Sequence, residues 1–152
     1  MKTGDREVTI TRTVKAPRAL VFEAWSDPTH LEHWYGPDGF VTKTISMDFR
    51  IGGRWKFTMT GPDGTVFPNV VVYKEISPVE RIVHDHGDQE DQMMFEATIT
   101  FVETDGGTLV TMRSIFPSKE ARDLVVEKYG AIEGGNQTLA RLDEYLNTRS
   151  NN

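Results

Sequence analysis

The apolar period of this chain changes once, and that change constrains the fold more than any single motif. Between residues 40 and 116 apolar and polar residues alternate in short runs. Trp55, Phe57 and Met59 fall on one face of a strand, and Met93, Phe95, Ala97, Ile99 and Phe101 on one face of another. Val110, Met112, Ser114 and Phe116 share a third face. A period of two is the mark of strands with one buried face. Beyond Ser118 the repeat lengthens: Val125, Ile132, Leu139 and Leu146 recur every seven residues. That spacing keeps one side of a helix apolar. A sheet followed by a helix with one apolar face has to bury the two against each other.

Turn chemistry divides the strand region. Ile51-Gly52-Gly53, Gly61-Pro62-Asp63-Gly64, Ser77-Pro78 and Thr104-Asp105-Gly106-Gly107 are turn signals. They separate strands predicted at residues 40–49, 54–60, 66–76, 81–85, 93–103 and 108–116. The polar stretch at residues 86–92 reads as a loop. An earlier strand, residues 7–15, is rich in β-branched residues. Pro17 then suits the first position of a short helix. Asp27 with Pro28 behind it starts a second one, which Gly36 and Pro37 end near Trp34. Ser118 is the predicted N-cap of a long helix over residues 118–147. Inside it, Gly134-Gly135 marks either a bend or a close approach of the helix backbone to the sheet. The predicted class is α+β: a curved antiparallel sheet, two short helices after the first strand, and a long C-terminal helix.

A chain of 152 residues fits one domain over residues 1–152, with its ordered core from about 7 to 147. The absence of cysteine excludes disulfides, thiolate metal sites and cysteine nucleophiles. A net charge of -6, with scattered lysines and arginines, argues against binding nucleic acid. The first residues, MKTGDREVTI, lack the apolar core of a signal peptide, and no apolar run approaches membrane-spanning length. Both observations predict a cytoplasmic protein with no membrane insertion.

Several motifs resemble one known group. The stretch VKAPRALVFEAW, residues 14–25, is similar to the opening of the START-like, or SRPBCC, superfamily. His33-Trp34-Tyr35-Gly36-Pro37 resembles the Trp-aromatic-Gly-Pro signature of one branch, that of the C-terminal domain of the activator of the heat-shock protein 90 ATPase. IGGRWKF at residues 51–57, ISPVERIV at 76–83 and GAIEGGNQTL at 130–139 resemble further segments of that branch, in order and spacing. Ile132 stands where many relatives carry Trp. The resemblance implies a helix-grip, a curved sheet wrapped round the last helix with a pocket between them. Its activities span lipid binding, polyketide cyclisation, hormone sensing and chaperone activation, so fold alone does not fix function.

Candidate chemistry is sparse. His30 and His33 have helical spacing but lack the H-E-x-x-H arrangement and a third ligand. They read as the wet side of a short helix whose Leu31 and Trp34 are buried. His84 and His86 share a strand face. They are either a strand end entering an acidic loop or, if that face is the inner one, two imidazoles at the mouth of a cavity. No serine sits in a G-x-S-x-G context and no glycine pair forms a P-loop.

The expected function is binding of a small hydrophobic, aromatic or lipid-like molecule between the sheet and the last helix. The expected walls are Trp34, Phe57, Met59, Phe95, Met112, Tyr129 and Ile132, with His84 as a polar contact. Neither a cofactor nor a metal is expected. Two alternatives remain: a protein-interaction module modulating a chaperone ATPase, and a cyclase- or hydrolase-like enzyme using His84 and His86.

Overall fold

The β-branched run after a single 3₁₀ turn (Gly4–Arg6) forms strand β1 (Glu7–Val14) in the computed structural model, which describes residues 4–89, 92–128 and 130–150. Two short helices follow, α1 (Arg18–Ser26) and α2 (Pro28–Trp34). Asp27 caps α2 as its sequence predicts: its carboxylate accepts from the Thr29 backbone N–H at 2.9 Å. Six strands come next: β2 (Val41–Met47), β3 (Arg54–Thr60), β4 (Val66–Ser77), β5 (Arg81–Gln89), β6 (Gln92–Thr104) and β7 (Gly107–Ile115). Helices α3 (Lys119–Glu127) and α4 (Ala131–Ser150) complete the order. The Ser118 hydroxyl caps α3 by accepting from the Ala121 N–H at 3.1 Å.

The strands form one antiparallel sheet in the order β1-β7-β6-β5-β4-β3-β2. Sequential neighbours pair from β2 through β7, and β1 closes the far edge against β7. Register shifts at residues 44–46, 73–75 and 86–89 mark bulges, which bend strands and tighten their twist. The sheet is curved, and α4 packs along the inner side of β1.

Two features differ from the sequence reading. Strand β5 continues to Gln89 instead of stopping at residue 85, because His86 and Gly87 pair with β6 despite their polar neighbours. The long helix is two helices, and the break falls at Gly130 rather than at the glycine pair. Gly130 adopts φ +62°, a left-handed conformation that a side chain would strain, and its carbonyl accepts the Gly134 N–H that opens α4.

Polar contacts fix α4. The Asp143 carboxylate accepts from Arg12 Nε at 3.1 Å and from the Lys15 backbone N–H at 3.0 Å. Arg141 donates to the carbonyls of Gly36 and Pro37 at 2.8 and 3.0 Å, tying α4 to the turn after α2. His30 is not on the wet side of α2. It is buried, with Nε2 3.2 Å from the Glu23 carboxylate and Nδ1 2.6 Å from the Tyr145 hydroxyl. His33 is exposed and stacks on the same tyrosine. Helical spacing alone could not show that α4 passes over His30.

Candidate ligand-binding site

The residues of α4 that face the sheet change size along the helix. Leu139, Leu142 and Leu146 are fully buried and fill the far end of the interior with Val14, Leu31, Trp34 and Phe101. Towards the start of α4 the inward positions are Ala131, Gly134, Gly135 and Thr138. These four are spaced as one helical stripe. Gly135 packs directly against Ile10, and beside that contact the small residues at 131 and 134 leave part of the sheet uncovered. A cavity of about 320 Å³ lies there, at the lower end of the range typical of small-molecule sites.

Strand register builds the opposing wall. Residues paired across neighbouring strands point to the same face. His86 pairs with Phe95, His84 with Ala97, Ile99 with Met112, Ala97 with Ser114, and Met112 with Ile10. All of these line the cavity, so β5, β6, β7 and β1 supply one continuous patch. Tyr35, Gly36 and Pro37, from the corner after α2, and Met59 of β3 form the adjoining side, with Trp25 of α1 beside them. Val125 of α3 and Gly130 complete the ring where the two last helices separate.

The wall is mostly apolar and holds no Asp, Glu, Lys or Arg among the described residues. Its two imidazoles are buried and lie 5.8 Å apart between ring centroids. His86 stacks on Phe95 at 4.9 Å. Burial disfavours the charged form of both. The pKa of His84 is pushed down to about 4. That of His86 is pushed down to about 3, by burial first and by the neighbouring His84 second. Both rings are therefore neutral at neutral pH. Burial likewise raises the Tyr35 phenol well above its ordinary value. Among the described residues no third His, Cys, Asp or Glu joins the two histidines in a metal-binding group.

Four of the expected wall residues, Met59, His84, Phe95 and Met112, meet at this cavity. Trp34 does not reach it: it sits under α1, edge-on to Trp25, with its indole N–H donating to the Ala24 carbonyl at 3.3 Å. Phe57 is fully buried behind the wall, stacked on Trp55 and edge-on to Tyr35. Ile132 is 42% exposed, because it lies one residue, about 100°, round α4 from Ala131. Tyr129 lies outside the described residues. The alternation on β5 placed His86 beside His84. The stripe of small residues on α4 was the signal for the helix side of the cavity, but a search for large apolar residues passes over it.

A curved sheet gripping a C-terminal helix, with an apolar cavity between them, defines a START-like protein. Residues 15–147 match the family model described as Activator of Hsp90 ATPase homolog 1-like protein, and the chain belongs to that family. Solved structures agree in fold. Protein NE0264 from Nitrosomonas europaea superposes with a TM-score of 0.87 at 23% identity, covering 97% of this chain and 98% of that one. Protein Ms6760 from Mycobacterium smegmatis gives 0.86 at 27% identity, covering 97% and 95%. An AHSA1-like protein from Aeromonas hydrophila gives 0.72 at 18% identity, covering 95% and 94%. No curated protein matches the chain in sequence. No helix among the described residues is long and apolar enough to cross a membrane.

Proposed function

We propose that this protein binds a small, predominantly apolar, uncharged molecule between the sheet and the first half of α4. The observation that carries this reading is the cavity of about 320 Å³ between the small-residue stripe Ala131, Gly134, Gly135 and Thr138 and a wall of Phe, Met, Ile and Ala side chains. Close packing is the default for an interior of this size. An unfilled apolar space bounded by five strands and three helices is where a ligand gains most from leaving water. The absence of charged residues from the described wall disfavours an ionised ligand, since burying an unpaired charge is costly.

Native mass spectrometry and thermal-shift screening against a library of neutral aromatic, terpenoid and short-chain lipid compounds test it. Retention of neutral ligands, and loss of that retention when the cavity is filled by Ser114→Phe, is the expected result. A protein that retains none of them refutes the reading. The alternative of modulating a chaperone ATPase draws its support from the family description alone. The enzyme alternative lacks an imidazolium to serve as general acid at neutral pH, and the lowered pKa values make both rings weak general bases.

A further inference from the structure

The two histidines of the wall are locked as hydrogen-bond acceptors. The side-chain amide of Asn69 is oriented by its own contact: Nδ2 donates to the Phe67 carbonyl at 3.0 Å. Its Oδ1 therefore faces His86 Nε2, at 2.9 Å, and an amide oxygen only accepts. The proton of His86 sits on Nε2, and Nδ1 carries a lone pair. That Nδ1 is buried and has no hydrogen-bond partner among the described residues, in a side chain only 8% exposed. His84 shows the opposite tautomer by the same logic. Its Nδ1 lies 3.2 Å from the Asp85 carbonyl, which also only accepts. The His84 proton sits on Nδ1 and the lone pair on Nε2.

An unpaired polar nitrogen in an apolar wall costs stability, and such groups in native proteins call for an explanation. Here the orphan acceptor of His86 lies in a ring that lines the cavity. One donor complements it. The indole N–H of Trp25, also on the wall, is buried and without a partner among the described residues. The hydroxyls of Tyr35 and Ser114 can act in either sense.

Building on the cavity reading above, we propose that the ligand is a neutral aromatic or alicyclic alcohol, whose hydroxyl donates to the imidazole pair of His84 and His86. A hydroxyl is the group that fits, because it donates to imidazole nitrogen and can also accept from an indole N–H. A carboxylate presents acceptors to acceptors, and has no cationic side chain on the described wall to pair with. An ether or an unsubstituted hydrocarbon fills the space but leaves the lone pairs unmet.

The test compares naphthalene, naphthol, methoxynaphthalene and naphthoate by isothermal titration calorimetry with the full chain. Naphthol is expected to bind about tenfold more tightly than methoxynaphthalene, the gain of one neutral hydrogen bond in a dry site. Naphthoate is expected to bind weakest. In His84→Phe and His86→Phe the ratio between naphthol and methoxynaphthalene should fall towards one. Nitrogen NMR of the histidine rings gives a second readout that needs no variant. It should show the Nε2–H tautomer for His86 and the Nδ1–H tautomer for His84, with a ring-nitrogen shift on adding naphthol. Equal affinities for naphthol, methoxynaphthalene and naphthalene overturn the alcohol assignment and leave the apolar cavity reading standing. Tightest binding by naphthoate, or imidazolium signals at neutral pH, also overturns the assignment. Failure of all four compounds to bind overturns the alcohol assignment, and failure of the broader neutral library as well overturns the cavity reading.

Discussion

The glycine pair on α4 separates two physical effects at adjacent positions. Replacing either glycine by alanine in a helix interior gains about 0.8–1 kcal/mol of backbone propensity. At Gly134 a Cβ would meet Pro37 at 3.7 and 3.8 Å, ordinary contact distances. Gly134→Ala should therefore keep the whole gain and raise the melting temperature by about 2–4 °C for a chain of this length. At Gly135 a Cβ would lie 2.7 Å from Ile10 Cγ1 and 3.3 Å from Cδ1. The first distance is inside any van der Waals contact, and Ile10 is held by its strand and cannot simply swing away. Overpacking of this kind costs about 1–3 kcal/mol. Gly135→Ala should be destabilising by about 1 kcal/mol net, some 2 kcal/mol below its neighbour. Paired thermal and urea melts measure this. In an Ile10→Ala background the colliding Cγ1 is gone, and Gly135→Ala should recover a gain near that of Gly134→Ala, a coupling of at least about 1 kcal/mol. Equal melting temperatures for the two single variants, or no coupling to Ile10, would show that α4 does not approach β1 at Gly135.

Acid should weaken the fold through the imidazole pair. Both histidines have folded pKa values, about 4 and about 3, below the ordinary 6.5. Above that ordinary value both are neutral, folded or unfolded, and contribute no pH dependence. As pH falls through it the unfolded chain takes up protons that the folded one refuses. Their joint contribution to the fall approaches about 2.7 kcal/mol per pH unit between roughly pH 6 and pH 4. His86→Phe should remove about half of that slope in urea melts run across the range. Asp143→Ala should cost about 2–3 kcal/mol by chemical denaturation, since it strands the Lys15 N–H and frees Arg12. Ser114→Phe should abolish retention of neutral ligands in native mass spectrometry while leaving the circular dichroism spectrum unchanged, because its side chain points into open space on the floor.

The period of two and the turn signals were enough to place seven strands, and the switch to a seven-residue repeat placed the last apolar face. These features are legible because each is local: a strand alternates and a helix repeats whatever it packs against. Caps were legible for the same reason, as Asp27 and Ser118 show. Segment ends were not. The polar run after His84 read as a loop, yet pairing with β6 carries β5 on to Gln89. The helix break fell at Gly130 because that glycine takes the left-handed conformation, while the equally plausible pair at 134 and 135 stays helical.

What the sequence settled by itself was the class of fold, the face on which each strand residue lies, and the family. What only the tertiary structure decided was where the interior is filled and where it is empty. Trp34, Phe57 and Ile132 have the chemistry of cavity walls, but Trp34 is buried in the packed end, Phe57 lies behind the wall and Ile132 turns to solvent. The cavity depends instead on residues with almost no side chain, held opposite His84, His86 and Phe95 by the passage of α4 along β1. A sequence states the size of each side chain. It does not state the distance between two surfaces, which closes to contact where Gly135 rests against Ile10 and stays open beside it.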